Sequence, residues 1–118
     1  MAIRSNLTER YFTNLKKSEE DGSLRVLRIQ RQERWNHHAI VIILRSHIEA
    51  DEVRLGLKEK GISAYIGYVP LHSSPMGIRL GWSPLDLPVT DSVAPRVLRL
   101  PLHHEMSVVD VDRICGEI

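Results

Sequence analysis

The apolar residues near the start of the chain have the spacing of an amphipathic helix. Leu7, Tyr11 and Leu15 recur every four residues, which places them on one helical face. Just before them, Asn6 is followed three residues later by Glu9, which is the pattern of a capping box. We therefore expect a first helix that begins after Asn6 and buries one face.

Three later segments have the composition typical of strands. Residues 24–29 alternate apolar and basic positions, residues 39–44 are a run of mostly β-branched side chains, and residues 62–69 follow a glycine. The run of six at 39–44 is too short for a typical helix and suits a strand covered on both faces. The pattern predicts three strands.

Two further helices have recognisable ends. Ser46 with Glu49, and Ser107 with Asp110, have the spacing of capping boxes. Gly61 stands where the helix that begins at Ser46 would need a left-handed residue at its C-terminal end. These positions predict one helix between the second and third strands and one at the end of the sequence.

A proline-rich stretch separates the third strand from the last helix. Residues 70–89 hold four of the six prolines, and this favours a long irregular loop. Loops of this length in a small domain are often functional or packed on a partner. After it, Thr90 would cap a short helix that Pro95 would end.

This order of elements predicts a single α+β domain over residues 1–118. We expect a small, mostly antiparallel three-stranded sheet packed with helices. The chain has 118 residues, 42% of them hydrophobic and 26% charged, which is typical of one soluble globular domain.

The charge and the cysteine content limit which partners and which cellular compartment the sequence favours. Sixteen basic and fifteen acidic side chains give a net charge of +1, so bulk charge favours neither nucleic acid nor a membrane surface as a partner. The chain has no apolar run of the roughly 18–20 residues that a membrane helix needs. The one cysteine, Cys115, cannot form an internal disulfide. We expect a cytoplasmic protein.

No residue spacing in the chain builds a complete active site. The six histidines lack the intervals of a zinc site, so we expect no metal ligands. Cys115 falls on the apolar face of the last helix, where a buried, inert thiol is favoured over a nucleophile. The arginines at positions 25, 28, 31 and 34 would form a basic stripe on a helix, but a strand there would scatter them over both faces.

One segment resembles a known family far more specifically. Residues 61–75, GISAYIGYVPLHSSP, resemble the small-domain signature of the DegT/StrS family of sugar aminotransferases. Weaker similarities follow in the family's order at residues 86–91, 97–103 and 107–113, and one precedes them at 36–38. The likeness is greatest to the branch that converts dTDP-4-keto-6-deoxyglucose to dTDP-4-amino-4,6-dideoxygalactose.

The resemblance implies a fold, a cofactor and a partner. It implies the C-terminal small domain of a fold-type I enzyme that depends on pyridoxal phosphate. In the family a preceding large domain carries the Schiff-base lysine and the other groups that hold this cofactor. Those groups have no counterpart here, so we expect neither catalytic nor cofactor-binding residues in this chain.

The resemblance also implies substrate-binding residues. It places Tyr68, His72 and Ser73 nearest a nucleotide sugar, where Tyr68 would stack on a ring and His72 would donate to an oxygen or shuttle a proton. An equally weighted alternative is that Tyr68 only ends a strand and His72 only ties down the proline-rich loop.

Two functions remain open on the sequence. The first is the C-terminal domain, or a fragment, of a pyridoxal-phosphate-dependent nucleotide-sugar aminotransferase that is inactive alone. Its partner would be the large domain or a second copy of the chain. The alternative is a stand-alone, non-catalytic binding or regulatory module of the same fold.

Overall fold

The structure, a computed structural model, describes residues 2–28, 35–67 and 69–118. Within these ranges the helices are α1 (Ala2–Glu20), α2 (His47–Glu59), α3 (Pro75–Arg79), α4 (Pro88–Val93) and α5 (Val108–Glu117). The strands are β1 (Leu24–Val26), β2 (Ile40–Leu44), β3 (Tyr65–Ile66) and β4 (Val97–Leu100). None of the helices in the described part of the chain is both long and apolar enough to span a bilayer.

The strands form one antiparallel sheet in the order β1-β2-β4-β3. The α+β class is confirmed, but the expectation of three strands is wrong. The missed strand is β4, which has only four residues and pairs with two strands that are distant in sequence. Its alternating burial places Leu98 and Leu100 in the core. Of the third predicted strand, residues 62–69, residue 68 lies outside the described residues, and within the rest the strand is β3.

Helix α1 begins earlier than its sequence pattern predicts. It starts at Ala2, so Asn6 lies inside the helix and does not cap it. No glycine or proline stands between these two residues, and nothing there stops the helix from extending towards the N-terminus. The predicted face is confirmed, because Leu7, Tyr11 and Leu15 are all buried.

Both ends of α2 are confirmed. Ser46 accepts a hydrogen bond from the backbone N–H of Glu49 at 3.2 Å. At the other end Gly61 has a φ of 78°, the left-handed conformation that glycine adopts without strain. The N–H of Ile62 then donates to the carbonyl of Leu57 at 2.9 Å, which completes a Schellman motif.

The capping box of α5 is also confirmed. The backbone N–H of Asp110 donates to the Ser107 hydroxyl at 3.3 Å, and the N–H of Ser107 donates to the Asp110 carboxylate at 2.8 Å. Each side chain therefore satisfies a backbone donor that the first helical turn would otherwise leave unpaired.

The stretch at 70–89 is not the long irregular loop that its prolines suggest. It contains α3, the start of α4 and two 3-10 turns, at Leu71–Ser73 and Pro84–Asp86. The expectation that Thr90 caps a helix is wrong, because α4 begins at Pro88 with Leu87 at its N-cap. The prolines cause this structure, since proline is favoured in the first turn of a helix, where its missing N–H costs no bond.

The core is formed by alternate residues of the sheet and by the buried faces of α1, α2 and α5. Tyr11 is fully buried and its hydroxyl donates to the carbonyl of Pro101 at 2.7 Å. Burial raises the pKa of this phenol well above its usual value. The hydrogen bond links α1 to the segment that follows β4.

Candidate functional site

The predicted site residues His72 and Ser73 lie in the 3-10 turn Leu71–Ser73, directly before α3. Ser74 joins the two: its hydroxyl donates to the carbonyl of Leu71 at 2.7 Å and accepts from the N–H of Gly77 at 3.0 Å. A Cβ on Gly77 would stand only 2.0 Å from the Leu71 carbonyl oxygen. The turn is therefore packed so closely on α3 that position 77 accepts only glycine.

His72 lies beneath the surface. Its exposed fraction is 5%, and its Nε2 is 3.7 Å from Oδ1 of Asp91, which is beyond hydrogen-bond distance. This nitrogen has no hydrogen-bond partner among the described residues. In this arrangement His72 faces Asp91 and not solvent.

Ser73 lines a cleft of about 420 Å³, which we call the Ser73 cleft. Its polar side chains come from separate elements: His47 and Asp51 from α2, and Asp91 from α4. Ile66, Val69 and Pro95 add apolar lining. Carboxylate, imidazole and hydroxyl groups around one cleft are suited to binding a ligand with several hydroxyl groups.

Ser73 therefore lines the cleft, whereas His72 is buried and does not line it. Tyr68 lies outside the described residues. The sequence prediction missed His47, Asp51 and Asp91 as lining residues of this cleft. Their signal was partly present, because His47 and Asp51 are four residues apart and share a helical face.

Three other groups of titratable residues were considered from the sequence: the histidines, Cys115 and the arginine series. In the described ranges no three histidine, cysteine, aspartate or glutamate residues stand close enough to hold a metal ion. Cys115 is half-buried, and burial raises the pKa of its thiol to about 11, so at neutral pH the thiol is protonated and a poor nucleophile. Of the arginine series, Arg28 is bound to Glu19 through two hydrogen bonds of 2.6 and 2.7 Å, while positions 31 and 34 lie outside the described residues.

The exposed large apolar side chains are concentrated in one stretch of the chain, and two of them, Ile66 and Val69, line the Ser73 cleft. Of the seventeen large hydrophobic side chains found exposed in the described part of the chain, eleven fall between positions 65 and 89. We call them the apolar segment: Tyr65, Ile66, Val69, Leu71, Met76, Ile78, Leu80, Trp82, Leu85, Leu87 and Val89. Because a monomeric protein rarely leaves large apolar patches exposed, this density indicates a surface that packs on something else.

Comparison with known proteins gives a consistent result. The profile of the DegT/DnrJ/EryC1/StrS aminotransferase family matches residues 1–118. A comparison with curated proteins gives no significant match.

Solved structures show the same fold. A DegT DnrJ EryC1 StrS aminotransferase from Brucella abortus is 28% identical, with a TM-score of 0.80 over 99% of this chain and 30% of its own. An aminotransferase of pseudoaminic acid biosynthesis from Helicobacter pylori is 17% identical, with a TM-score of 0.78 over 99% of this chain and 31% of its own. A Bacillus subtilis protein solved with its cofactor PMP bound is 24% identical, with a TM-score of 0.79 over 98% and 26%. The chain therefore spans about 30% of the length of these structures.

Proposed function

The chain belongs to the DegT/DnrJ/EryC1/StrS aminotransferase family, and from this premise we propose that it is the C-terminal small domain of a pyridoxal-phosphate-dependent nucleotide-sugar aminotransferase. The observation that carries the proposal is one of coverage: the family profile matches all 118 residues, which equal only 30% of the Brucella abortus relative. The partner is the large domain that accounts for the rest of such an enzyme.

The residues of this chain do not fit the role of cofactor holder. A Schiff-base lysine needs a desolvated site or a cationic neighbour that lowers its pKa. All four lysines, at positions 16, 17, 58 and 60, are exposed, and on an exposed side chain water screens the effect of a neighbouring cation. Pyridoxal phosphate would therefore be bound by the large domain, and this chain would not transaminate alone.

The role left to this chain is to bind and orient the substrate. Ser73 and Asp91 would form hydrogen bonds with sugar hydroxyls, and His72 would position Asp91 from beneath. Tyr68, three residues before Leu71, would stack on a ring of the same ligand. The substrate we propose is a dTDP-4-keto-6-deoxyhexose, as the similarity of residues 68–75 to one branch of the family suggests.

Complementation tests this function. The 118-residue chain is mixed with the Brucella abortus relative from which the matching 30% has been removed. We expect the chain alone to give no absorption band near about 420 nm with pyridoxal phosphate, and the mixture to form a complex with aminotransferase activity. A stable, borohydride-trapped adduct on one lysine of the isolated chain would overturn the proposal, as would a chain that never associates with the large domain.

Variants of the apolar segment provide the matched control for that experiment. Leu71 and Leu85 are each 86% exposed, so Leu71→Glu and Leu85→Glu leave the core intact but should prevent association. Val109, 69% exposed on α5, lies outside the segment, and Val109→Glu should associate normally. Equal behaviour of all three variants would refute the apolar segment as the contact with the large domain.

The substrate role of the cleft has its own test in the assembled enzyme. Removing the hydroxyl with Ser73→Ala should raise KM for the nucleotide sugar about tenfold at unchanged kcat, because one hydrogen bond to the bound ligand is lost. Thr90→Ala removes an exposed hydroxyl beside Asp91 that does not line the cleft, and should leave KM unchanged. Identical KM values for the two variants would remove Ser73 from the site.

A further inference from the structure

A second pocket lies between α5 and the segment that leads from α2 into β3, and we call it the α5 pocket. Its volume is about 510 Å³, and none of its lining residues lines the Ser73 cleft. Three of the lining side chains, those of Ile62, Met106 and Ile114, are buried members of the core. They give the pocket an apolar floor.

Two side chains of opposite charge, Asp110 and Arg113, also line this pocket. They are three residues apart on α5, so they lie on the same face of the helix. They do not form an ion pair with each other, as the ion pairs within the described part of the chain lie elsewhere. A carboxylate and a guanidinium that line one pocket without pairing leave both charges available to a ligand.

Both charged groups have hydrogen-bonding atoms that the protein leaves unused. Oδ2 of Asp110 accepts from the N–H of Ser107 at 2.8 Å, whereas Oδ1 has no donor among the described residues. Nη2 of Arg113 donates to the carbonyl of Lys60, whereas its Nε and Nη1 have no acceptor there. Hydrogen bonds from Ser107, and then the charge of Arg113, lower the pKa of the Asp110 carboxyl, so this group is ionised at neutral pH.

We propose that the α5 pocket binds a free α-amino acid with a large apolar side chain. The ammonium of the ligand pairs with Asp110, its carboxylate pairs with Arg113, and its side chain packs on the apolar floor. A ligand with one charge would leave either Asp110 or Arg113 without a partner, and a charged side chain would be placed against apolar groups at a cost.

The size and walls of the pocket agree with this class of ligand. A volume of about 510 Å³ is in the range of small-molecule sites. Tyr65, which is 61% exposed, also lines the pocket, and its ring can pack on an aromatic side chain of the ligand. The inference goes beyond the proposed function, because it uses none of the residues of the Ser73 cleft and requires neither the large domain nor the cofactor.

Ligand titration separates the three parts of the amino acid. The ¹⁵N-labelled 118-residue chain is titrated with L-phenylalanine, and then with three compounds that each lack one part: L-alanine lacks the ring, 3-phenylpropionate the ammonium and 2-phenylethylamine the carboxylate. We expect L-phenylalanine to shift the amide resonances of Ile62, Met106, Asp110 and Arg113. The other three compounds should each bind at least about tenfold more weakly.

Two results of this titration would overturn the proposal. The first is that these four resonances stay unshifted with L-phenylalanine at about 20 mM. The second is that any one of the three incomplete compounds binds as tightly as L-phenylalanine, because the proposed site uses the ammonium, the carboxylate and the apolar side chain together.

Variants test whether the two charges of the pocket hold the ligand. Asp110→Asn and Arg113→Gln should each weaken the binding of L-phenylalanine about tenfold, since each removes one charge-assisted hydrogen bond. Glu117→Gln and Arg79→Gln remove the same charges from exposed positions that do not line the pocket, and should change the affinity less than about twofold.

Equal losses in the control variants would show non-specific attraction and overturn the proposal, as would an unchanged affinity in Asp110→Asn and Arg113→Gln. Asparagine keeps an oxygen that can accept from the N–H of Ser107, so the start of α5 is retained in the first variant. Arg113 is exposed, so its variant remains informative even if Asp110→Asn disturbs the helix.

Discussion

Gly77 is the residue on which the turn carrying His72 and Ser73 depends. Besides the contact with the Leu71 carbonyl oxygen, a Cβ at this position would stand 3.0 Å from the backbone of His72. The atoms it meets are backbone, which cannot rotate away as the end of a long side chain could. The close packing of the turn on α3 is therefore possible only because residue 77 is a glycine and has no Cβ.

Gly77→Ala should destabilise this region by about 2 kcal/mol or more, because the turn and α3 have to move apart. Amide hydrogen exchange would report this as lost protection of Ile78, whose N–H donates to the Ser74 carbonyl at 2.9 Å. Gly56→Ala is the control: nothing lies within 4 Å of a Cβ there. In a helix the change should add about 0.5–1 kcal/mol of stability. Unchanged protection of Ile78 in Gly77→Ala would contradict the packing described.

Asp112 links α5 to α1 through two side chains. It accepts hydrogen bonds from Arg10 at 2.7 and 2.8 Å and from Asn14 at 2.7 Å. The Arg10 hydrogen bond, and then the Asn14 hydrogen bond, lower the pKa of this carboxyl to about 2. Because the folded pKa lies below the unfolded one, the stability from this contact is fully present above the unfolded pKa of about 4.

That stability should disappear as pH falls from about 4 to about 2, through the interval between the unfolded and the folded pKa. The urea midpoint of the wild-type chain should fall over this range by more than that of Asp112→Asn, which has no carboxyl to protonate. Asp51→Asn, whose carboxylate is 3.7 Å from Arg54, is the control and should follow the wild type. Parallel pH profiles for wild type and Asp112→Asn would contradict the assignment.

At the level of elements, side-chain caps define where α2 and α5 begin. Ser46 and Ser107 each accept from a backbone N–H three residues later. The Asp110 carboxylate also accepts a hydrogen bond from the backbone N–H of Ser107, and this bond lowers the pKa of the carboxyl. Such caps are local, and for this reason both helix starts were predictable from the sequence.

Replacing the Ser107 cap should cost about 1 kcal/mol of unfolding free energy, because Ser107→Ala leaves the N–H of Asp110 without its side-chain acceptor. Urea unfolding followed by circular dichroism measures it. Ser92→Ala, an exposed change within α4, should stay within about 0.5 kcal/mol of the wild type. A loss of equal size in both variants would argue against the capping box as the cause.

Elements that depend on long-range pairing were harder to predict. β4 has four residues and exists as a strand because β2 and β3 hydrogen-bond to it from far along the chain. In the proline-rich stretch, Ser74-Pro75 and Ser83-Pro84 each pair an N-cap serine with a first-turn proline. A serine followed by a proline is a signal for a helix start. The prediction of a long loop treated these prolines only as residues that break helices, and it therefore missed both starts.

The candidate site was predictable in part. Ser73 was named through the family resemblance of residues 61–75, and it does line a cleft. His47, Asp51 and Asp91 reach that cleft only through the packing of α2 and α4, which no local pattern specifies. The burial of His72 is likewise a result of tertiary packing.

At the scale of the whole molecule, the apolar segment and the family coverage agree. The chain matches about 30% of each solved relative, and eleven of the seventeen large apolar side chains that are exposed in its described part fall in one stretch. A domain that normally packs on a larger one would have this distribution of surface.

The isolated chain should therefore self-associate as its concentration rises, because association buries apolar side chains that water otherwise surrounds. Sedimentation velocity across about a hundredfold range of concentration would measure this, with Leu85→Glu expected to lower the association and Val109→Glu expected to retain it. A chain that stays monomeric throughout would contradict the apolar segment as a contact surface.

The strand order has a consequence for synthesis on the ribosome. β4 lies between β2 and β3, although it is the last strand to be made. While residues 97–100 are still inside the exit tunnel, the nascent chain can form only the β1–β2 hairpin, and β3 has no strand to pair with. Closure of the sheet must wait until residues 97–100 have emerged, so the sheet of this domain should form late and in a single cooperative step.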